Sequence, residues 1–173
     1  AYVDFGGESA VKLTEKYENL VVVQTFSKSR SLAGARVGFA VASEALAADL
    51  NRVRNSFNPY NVNRLSALLA ANAVLDKAYF EESVAKVKKS REFTKKELEK
   101  RGFTVLDSSA NFLMAGSAAI GGEELYLALK ERGILVRHFK DERIKNFVRV
   151  SIGAKEDMLK FLEEVDDITG RRS

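Results

Sequence analysis

The sequence predicts an α/β fold, and three observations lead to that prediction. Short runs of β-branched and other apolar residues alternate with longer stretches whose apolar residues recur at helical spacing. The chain has a single proline, Pro59, and neither a repeat nor a low-complexity segment interrupts the alternation. Strands that alternate with helices build α/β or α+β layers, and 173 residues suffice for one such domain and part of another.

In the first half, the predicted elements are anchored by three local signals. Residues 20–26 are apolar on both faces, which is typical of a buried strand. Ser43 is a suitable N-cap for the helix that follows it, and Pro59 stands in a predicted turn. The predicted elements are, in order, the end of a strand at 1–5, a helix at 8–17, strands at 20–26 and 37–42, and helices at 44–56 and 62–75.

The second half begins with a long predicted helix at 78–101. Phe80, Val84 and Val87 recur on one side of this helix, and Gly102 is placed to end it. We expect a domain boundary within the helix, which divides the chain into domains at 1–90 and 91–173. The remaining predicted elements are strands at 103–106, 111–115, 134–137 and 147–152, and helices at 123–132 and 156–168.

The composition argues against several classes of function. The chain has no cysteine and a single histidine, His138, so we expect no metal site. No apolar run approaches the roughly 20 residues that span a membrane, and no signal peptide is visible. The net charge is +4, but the basic residues at 86–92 and 95–101 are interleaved with acids, as on solvated helix faces. We therefore expect neither a nucleic acid nor a membrane as a partner.

One segment carries the strongest chemical signal in the chain. A lysine among hydroxyl residues is a candidate nucleophile, because a neutral amine attacks carbonyl carbons. Hydroxyl donors and a planar guanidinium suit a phosphate group, and we expect Gly34 and Gly38 to let the backbone turn tightly around it. The segment reads Thr25-Phe26-Ser27-Lys28-Ser29-Arg30-Ser31-Leu32-Ala33-Gly34-Ala35-Arg36-Val37-Gly38.

This segment resembles the lysine segment of fold-type I pyridoxal-phosphate (PLP) aminotransferases. The likeness rests on the Ser27-Lys28 pair, on the pattern Ala-Gly-x-Arg-x-Gly at 33–38, and on two arginine segments later in the chain. Within that family the sequence is most similar to histidinol-phosphate aminotransferases, and it matches only their later part. The resemblance implies part of a large α/β domain that binds PLP at 1–90 and a small α+β C-terminal domain at 91–173.

The resemblance places the cofactor contacts in the first of these domains. Lys28 matches the lysine that forms the Schiff base with PLP, and Arg36 matches the arginine that binds the cofactor phosphate. Thr25 and Ser27 match the hydroxyl donors to the same phosphate. Tyr2 matches the tyrosine whose phenol contacts the ring oxygen of the cofactor.

Three residues of the later domain are implied to bind the substrate. Arg149 lies in the predicted strand at 147–152, where a buried and unpaired guanidinium would cost several kcal/mol. The resemblance implies that Arg149 binds the α-carboxylate of the substrate. Arg137 matches the position that contacts the substrate phosphate in histidinol-phosphate enzymes, and Asn111 matches a position near the substrate.

The start of the chain leads to a further expectation. In this family the aspartate that pairs with the pyridine nitrogen of PLP lies just before an Ala-Tyr pair, and here that pair is Ala1-Tyr2. Asp4 does not match the position of that aspartate. We therefore expect a truncated chain that is inactive by itself, with a complementary N-terminal half or a homodimer as its partner.

The resemblance also implies the reaction of the parent protein. That reaction is transamination between L-histidinol phosphate and 2-oxoglutarate, a step of histidine biosynthesis in the cytoplasm. An aromatic-amino-acid aminotransferase or a threonine-phosphate decarboxylase-like enzyme is the nearest alternative. A catalytically inactive structural or self-associating fragment is the alternative from a different class.

Overall fold

The structure is a computed structural model that describes residues 1–171, and it divides into two compact units. The first unit is Ala1–Val84 and the second begins at Ala85. The boundary lies within the helix Lys77–Lys100. The identification of residues 1–90 and 91–173 with a large and a small domain of the parent protein stays a prediction.

The first unit combines a two-stranded antiparallel sheet with two α-helices. Its elements are 3₁₀-helices at Val3–Phe5 and Ala10–Glu15, β1 (Val22–Thr25), a 3₁₀-helix at Ala33–Ala35, β2 (Gly38–Val41), α1 (Glu44–Phe57) and α2 (Arg64–Leu75). Strands β1 and β2 pair with Val22 opposite Val41. Ser43 caps α1 as predicted, because its hydroxyl accepts the backbone N–H of Leu46 at 3.4 Å.

The N-terminal segment differs from the sequence prediction. Residues 1–5 were expected to end a strand, and this prediction is wrong, because the structure forms the 3₁₀-helix Val3–Phe5 there. Phe5 is buried, and Gly6 ends the turn with a φ of 134°. The predicted helix at 8–17 is confirmed only as a short 3₁₀-helix. Such turns are too short to show a helical period in the sequence.

The apolar core of the first unit is small. Phe26, Val37 and Ala70 are buried, and Phe39 meets the Phe26 ring edge-on at 5.6 Å between centroids. The strand predicted at 20–26 is confirmed as β1, but the prediction that both of its faces are buried is wrong, since Val23 is 71% exposed. Among the described residues β1 is paired with β2 alone, so no strand lies along its other edge.

The second unit is a four-stranded antiparallel sheet packed against helices. Its elements are the later part of α3 (Lys77–Lys100), β3 (Phe103–Val105), β4 (Phe112–Ser117), α4 (Gly122–Glu131), β5 (Arg137–His138), β6 (Phe147–Ser151) and α5 (Lys155–Ile168). The strand order is β3-β4-β6-β5. Gly102 follows α3 in the left-handed conformation, with φ 74°, as the predicted helix end requires. The predicted strand at 134–137 is reduced to two residues.

The core of the second unit lies between one face of its sheet and the three helices. Five fully buried side chains come from five different elements, and this core orients β4 and β6 so that alternate residues face away from the helices. These side chains, each at 0% exposure, are Leu98 of α3, Leu113 of β4, Leu129 of α4, Val148 of β6 and Val165 of α5.

Candidate active site

The chain leaves β1 in a tight loop, residues 26–32, that carries Lys28. The Thr25 hydroxyl accepts the backbone N–H of Ser27 at 3.0 Å and donates to the Ser27 hydroxyl at 2.9 Å. The backbone N–H of Leu32 donates to the Phe26 carbonyl at 3.1 Å, which closes the loop. The Lys28 side chain is exposed. The structure thus brings the two hydroxyls predicted to bind a phosphate beside the predicted nucleophile.

The N-terminal 3₁₀-helix lies against this loop. Tyr2 immediately precedes the helix, and its ring centroid lies 5.9 Å from the Lys28 Nζ atom. Asp4, two residues further on, accepts a hydrogen bond from Gln24 Nε2 at 2.9 Å and another from the Ser29 hydroxyl. Sequence reasoning gave Asp4 no role in the site. The sequence feature that could have indicated a role is the placement of an acidic residue two positions after the tyrosine.

Arg36 completes the loop segment in an unusual backbone conformation. Its φ of 54° and ψ of 44° are left-handed, a region that costs non-glycine residues roughly 1–2 kcal/mol. Its guanidinium is exposed and donates to the Ala33 carbonyl at 3.0 Å. Neither Gly34 nor Gly38 has a positive φ, so the left-handed residue of this turn is Arg36 itself. That the two glycines let the backbone turn around a phosphate stays a prediction.

Gly38 is required for a different reason. A Cβ atom at this position would lie 2.8 Å from the Gln24 carbonyl oxygen of the neighbouring strand. Around Gly34, in contrast, an added Cβ would meet nothing within 4 Å. Gly34 can therefore be replaced without a steric clash, whereas Gly38 allows β2 to approach β1 closely.

The donors of the first unit suit one kind of ligand. Two hydroxyls and a guanidinium can surround an anionic phosphate, and a primary amine beside them can bond to a carbonyl carbon. All of these groups come from β1 and the segment that follows it, so their spacing is set locally. The residues present therefore fit a ligand that has both a phosphate and an aldehyde.

The predicted substrate residues lie in the second unit, and two of them are direct neighbours. Arg149 of β6 is the register partner of Arg137 of β5 and, on its other side, of Met114 of β4. Val148 and Val150 point into the core, so Arg149 faces away from the helices.

The two guanidiniums differ in their surroundings. The Arg149 Nε atom is buried and has no hydrogen-bond partner within residues 1–171. Its guanidinium carbon lies 5.3 Å from the Phe112 ring centroid. Arg137 is exposed, and its guanidinium carbon lies 5.5 Å from the Phe139 ring centroid. An aromatic ring therefore flanks each guanidinium. The partly buried guanidinium, that of Arg149, also has one N–H without a hydrogen-bond acceptor among the described residues.

Asn111 enters the same region through its backbone. Its carbonyl accepts the N–H of Ile152, just past β6, at 2.9 Å. The preceding carbonyl, of Ala110, accepts a hydrogen bond from Arg91 Nη1 at 2.9 Å. Arg91 is only 7% exposed, and sequence reasoning missed it. Its position four residues after Val87 placed it on the apolar side of the predicted helix, which was the available signal.

The predicted site residues therefore form two groups. Tyr2, Thr25, Ser27, Lys28 and Arg36 belong to the first unit. The second group, in the second unit, is Asn111, Arg137 and Arg149.

Within the described part of the chain, no helix combines the length and the apolar character needed to cross a membrane.

Comparison with curated proteins gives close relatives. A histidinol-phosphate aminotransferase from Brachyspira hyodysenteriae is 52% identical over 166 residues, which are 95% of this chain and 47% of that protein. Another, from Clostridium botulinum (strain Kyoto / Type A2), is 47% identical over 171 residues, 99% of this chain and 48% of that protein. The chain thus spans about half the length of the curated relatives it matches.

Solved structures give the same fold. The crystal structure of histidinol-phosphate aminotransferase from Clostridium acetobutylicum matches with a TM-score of 0.87 and 28% identity, over 99% of this chain and 53% of that one. The enzyme of that name from Sinorhizobium meliloti, solved in complex with pyridoxal-5'-phosphate, matches with a TM-score of 0.86. Its identity of 23%, over 98% of this chain and 47% of that one, supports the fold alone. The predicted fold class is confirmed.

The family model described as "Aminotransferase class I and II" matches residues 1–165, nearly the whole chain. The match includes both groups of site residues. The chain belongs to the class I and II aminotransferase family.

Proposed function

We propose that the chain is the C-terminal part of a PLP-dependent aminotransferase that acts on L-histidinol phosphate and 2-oxoglutarate, in cytoplasmic histidine biosynthesis. The observation that carries the proposal is the pairing of Arg149 with Arg137 across β6 and β5. The names of the curated relatives support it.

The arginine pair requires an anion. Like charges directly opposite each other on neighbouring strands destabilise a sheet, and a buried N–H without an acceptor loses its solvation. Arg149 Nε is such a group among the described residues. Carboxylates and phosphates accept two parallel hydrogen bonds from one guanidinium, so a substrate with either group would relieve both costs. We assign the α-carboxylate of 2-oxoglutarate to Arg149 and the phosphate of L-histidinol phosphate, which has no carboxylate, to Arg137, with Asn111 nearby.

The cofactor site is assigned to the first unit. Thr25, Ser27 and Arg36 would hold the phosphate of PLP, and Tyr2 would contact its ring oxygen. When bound, PLP supplies an electron sink that allows a proton to leave the substrate carbon bearing the amino group.

Lys28 has two roles in this proposal. Its exposed amine would bond to the cofactor aldehyde, because the loop presents that side chain outward while its neighbours contact the protein. After the substrate amine displaces it, the Nζ atom would hold the proton that leaves the substrate carbon and return it to the neighbouring cofactor carbon.

We further propose that a complementary N-terminal half, or a second copy in a homodimer, covers the apolar surface of the first unit. Val23, Phe57, Tyr60 and Leu75 are between 71% and 91% exposed. Exposed apolar side chains that gather into a patch mark contact sites on soluble proteins. The 173 residues alone should therefore associate with another polypeptide and should catalyse transamination poorly.

The experiment that tests the cofactor site uses the chain itself. The protein is incubated with PLP, reduced with borohydride, digested and mapped by mass spectrometry. We expect the pyridoxyl label on Lys28 and its loss in Lys28→Ala. Lys12, on a 3₁₀-helix of the same unit, is the internal reference. A label that favours Lys12 or Lys16 over Lys28 would contradict the assignment.

The reaction is tested in the complete protein. Turnover of L-histidinol phosphate with 2-oxoglutarate should far exceed turnover of phenylalanine or tyrosine. Preferred aromatic substrates, or release of carbon dioxide from threonine phosphate, would replace the proposed reaction by one of its two alternatives. Rapid turnover by the pure 173-residue chain would show that no complementary half is needed.

A further inference from the structure

We infer that Asp4 is a positioning residue that fixes Lys28 beside Tyr2. The catalytic meaning of this contact rests on the proposed function, but the contact itself is a property of the first unit. The sequence offered no role for Asp4, because it does not match the aspartate expected to pair with the cofactor ring. Its hydrogen bonds supply one.

The Asp4 carboxylate binds the chain on both sides of Lys28. One oxygen, Oδ2, accepts from Gln24 Nε2 at 2.9 Å and from the Ser29 hydroxyl. Gln24 belongs to β1, before the lysine, and Ser29 follows the lysine directly. A single carboxylate thus ties both strand β1 and the middle of the loop to the 3₁₀-helix that follows Tyr2.

The bond to Ser29 is the more constraining of the two. Ser29 is only 3% exposed, so its hydroxyl has little access to water and depends on a protein acceptor. A hydrogen bond to an ionised acceptor is roughly twice as strong as one between neutral groups. The backbone of residue 29 therefore has a fixed place relative to Asp4, and the adjacent Lys28 starts from a fixed point.

Arg30 holds the other end of the same turn. Its Nη1 atom donates to the Ala73 carbonyl at 2.5 Å, and its guanidinium carbon lies 3.6 Å from the Phe80 ring centroid. Ser29 and Arg30 are thus both anchored, whereas Lys28 is exposed. The anchor at Arg30 joins the loop to the helices, and the anchor at Asp4 joins it to the segment that bears Tyr2.

Fixing the loop matters because a lysine side chain is long and flexible. Four carbons separate its amine from the backbone, so its average position depends on where the backbone places it. With Asp4 in place, the amine lies 5.9 Å from the Tyr2 ring centroid. Without it, the 3₁₀-helix and the loop could separate, and the amine would lose its aromatic neighbour.

The test is nuclear magnetic resonance of the isotope-labelled 173-residue chain. An aromatic ring shifts nearby protons, so the Lys28 ε-methylene should resonate away from that of Lys12 and show nuclear Overhauser effects to the Tyr2 ring. Lys16 supplies an internal control, because its Nζ atom lies 5.2 Å from the ring of its sequence neighbour Tyr17. That pair does not depend on Asp4.

Three variants decide the inference. In Asp4→Ala, the nuclear Overhauser effects between Tyr2 and Lys28 should disappear. The Lys28 ε-methylene should then have the same chemical shift as that of Lys12, while the Lys16 shift stays unchanged. Asp4→Asn should retain the contact, because the amide oxygen still accepts both hydrogen bonds. Ser29→Ala should weaken the contact without altering the 3₁₀-helix, and it decides the question if Asp4→Ala fails to fold.

A Tyr2–Lys28 contact that persists in folded Asp4→Ala would overturn the inference. If that variant does not fold, persistence of the contact in Ser29→Ala would overturn it. PLP labelling of the same samples is a separate readout. Failure of the wild-type chain to take label at Lys28 would count against the proposed function alone, because the proton contacts are measured without cofactor.

Discussion

Arg149 and Arg137 lie directly opposite each other on neighbouring antiparallel strands, on the sheet face that points away from the helices. Under the proposed function, Arg137→Ala in the complete protein should selectively weaken the binding of phosphorylated substrates, by about 2–5 kcal/mol if the lost ion pair is desolvated. Arg149→Ala should lower kcat/KM for every substrate. The charge of Arg149 acts on a carboxylate directly and on a phosphate across the strand pair. Steady-state kcat/KM values for L-histidinol phosphate and phenylalanine measure both effects. Equal losses on the two substrates in Arg137→Ala would argue against the phosphate assignment.

The left-handed backbone of Arg36 leads to a prediction about stability. Arg36→Gly and Arg36→Ala both remove the guanidinium, so both should lose retention of PLP. They should differ in stability, because glycine adopts a φ of 54° without steric cost whereas alanine does not. We expect Arg36→Gly to be the more stable by about 1 kcal/mol, after the entropy cost of glycine is subtracted. Urea unfolding monitored by circular dichroism gives the difference, and equal midpoints would indicate an unstrained backbone.

Gly38 and Gly34 form a matched pair for a second stability prediction. Gly38→Ala places a Cβ atom 2.8 Å from a backbone oxygen of β1, which cannot move without disturbing the strand pair. We expect a loss of about 1–3 kcal/mol, the range typical of overpacking. Gly34→Ala meets no atom within 4 Å and should be neutral or slightly stabilising. Urea unfolding curves of the two variants, measured side by side, test this difference in stability. Equal stabilities would show that β2 can shift away from β1.

A prediction about pH concerns Glu97 on α3. Hydrogen bonds from Lys100 at 2.6 Å and from Arg101 at 2.9 Å lower the pKa of its carboxyl below the ordinary value of 4.5. A carboxyl whose pKa is lowered by folding stabilises the native state above its unfolded pKa, and this contribution is lost as the pH falls through the folded value. Stability should therefore decline below about pH 4.5 as Glu97 is protonated.

Glu97→Gln tests this by urea titration between about pH 3 and pH 6. The variant should lose less stability on acidification than the wild-type chain. Glu131→Gln is the control, because Glu131 forms no ion pair within the described part of the chain. Identical acid dependence in Glu97→Gln and the wild type would show that the ion pairs of Glu97 do not contribute.

Most elements of the fold could be predicted because they depend on local signals. Ser43 and Gly102 mark the start of α1 and the end of α3, and both act through hydrogen bonds or a φ angle within one turn. The 3₁₀-helix at Val3–Phe5 was missed because three residues cannot display a period. The exposure of Val23 was missed because an apolar run indicates that a strand needs cover, but not which polypeptide provides it.

The residues of the candidate site also fall into those that a local motif predicts and those that only the folded structure brings together. Lys28 and Arg36 stand in one continuous motif, so sequence comparison could propose them. Asp4 bonds to Ser29 and Arg91 bonds to Ala110, each at least 19 positions away, and these hydrogen bonds exist only after the chain has folded. Only the register of β5 and β6 shows that Arg137 and Arg149 are neighbours, because eleven residues separate them in the sequence.

The exposed side of β1 has a practical consequence for work with the isolated chain. Within residues 1–171, β1 pairs with a strand on one edge only, and its exposed Val23 is strongly apolar. Such an edge is a template onto which another strand can add. Purified samples should therefore aggregate more readily as concentration rises, with a gain of β-structure that begins in the first unit. A lysine in place of Val23 should slow that process, because charged residues on exposed strands oppose edge-to-edge addition.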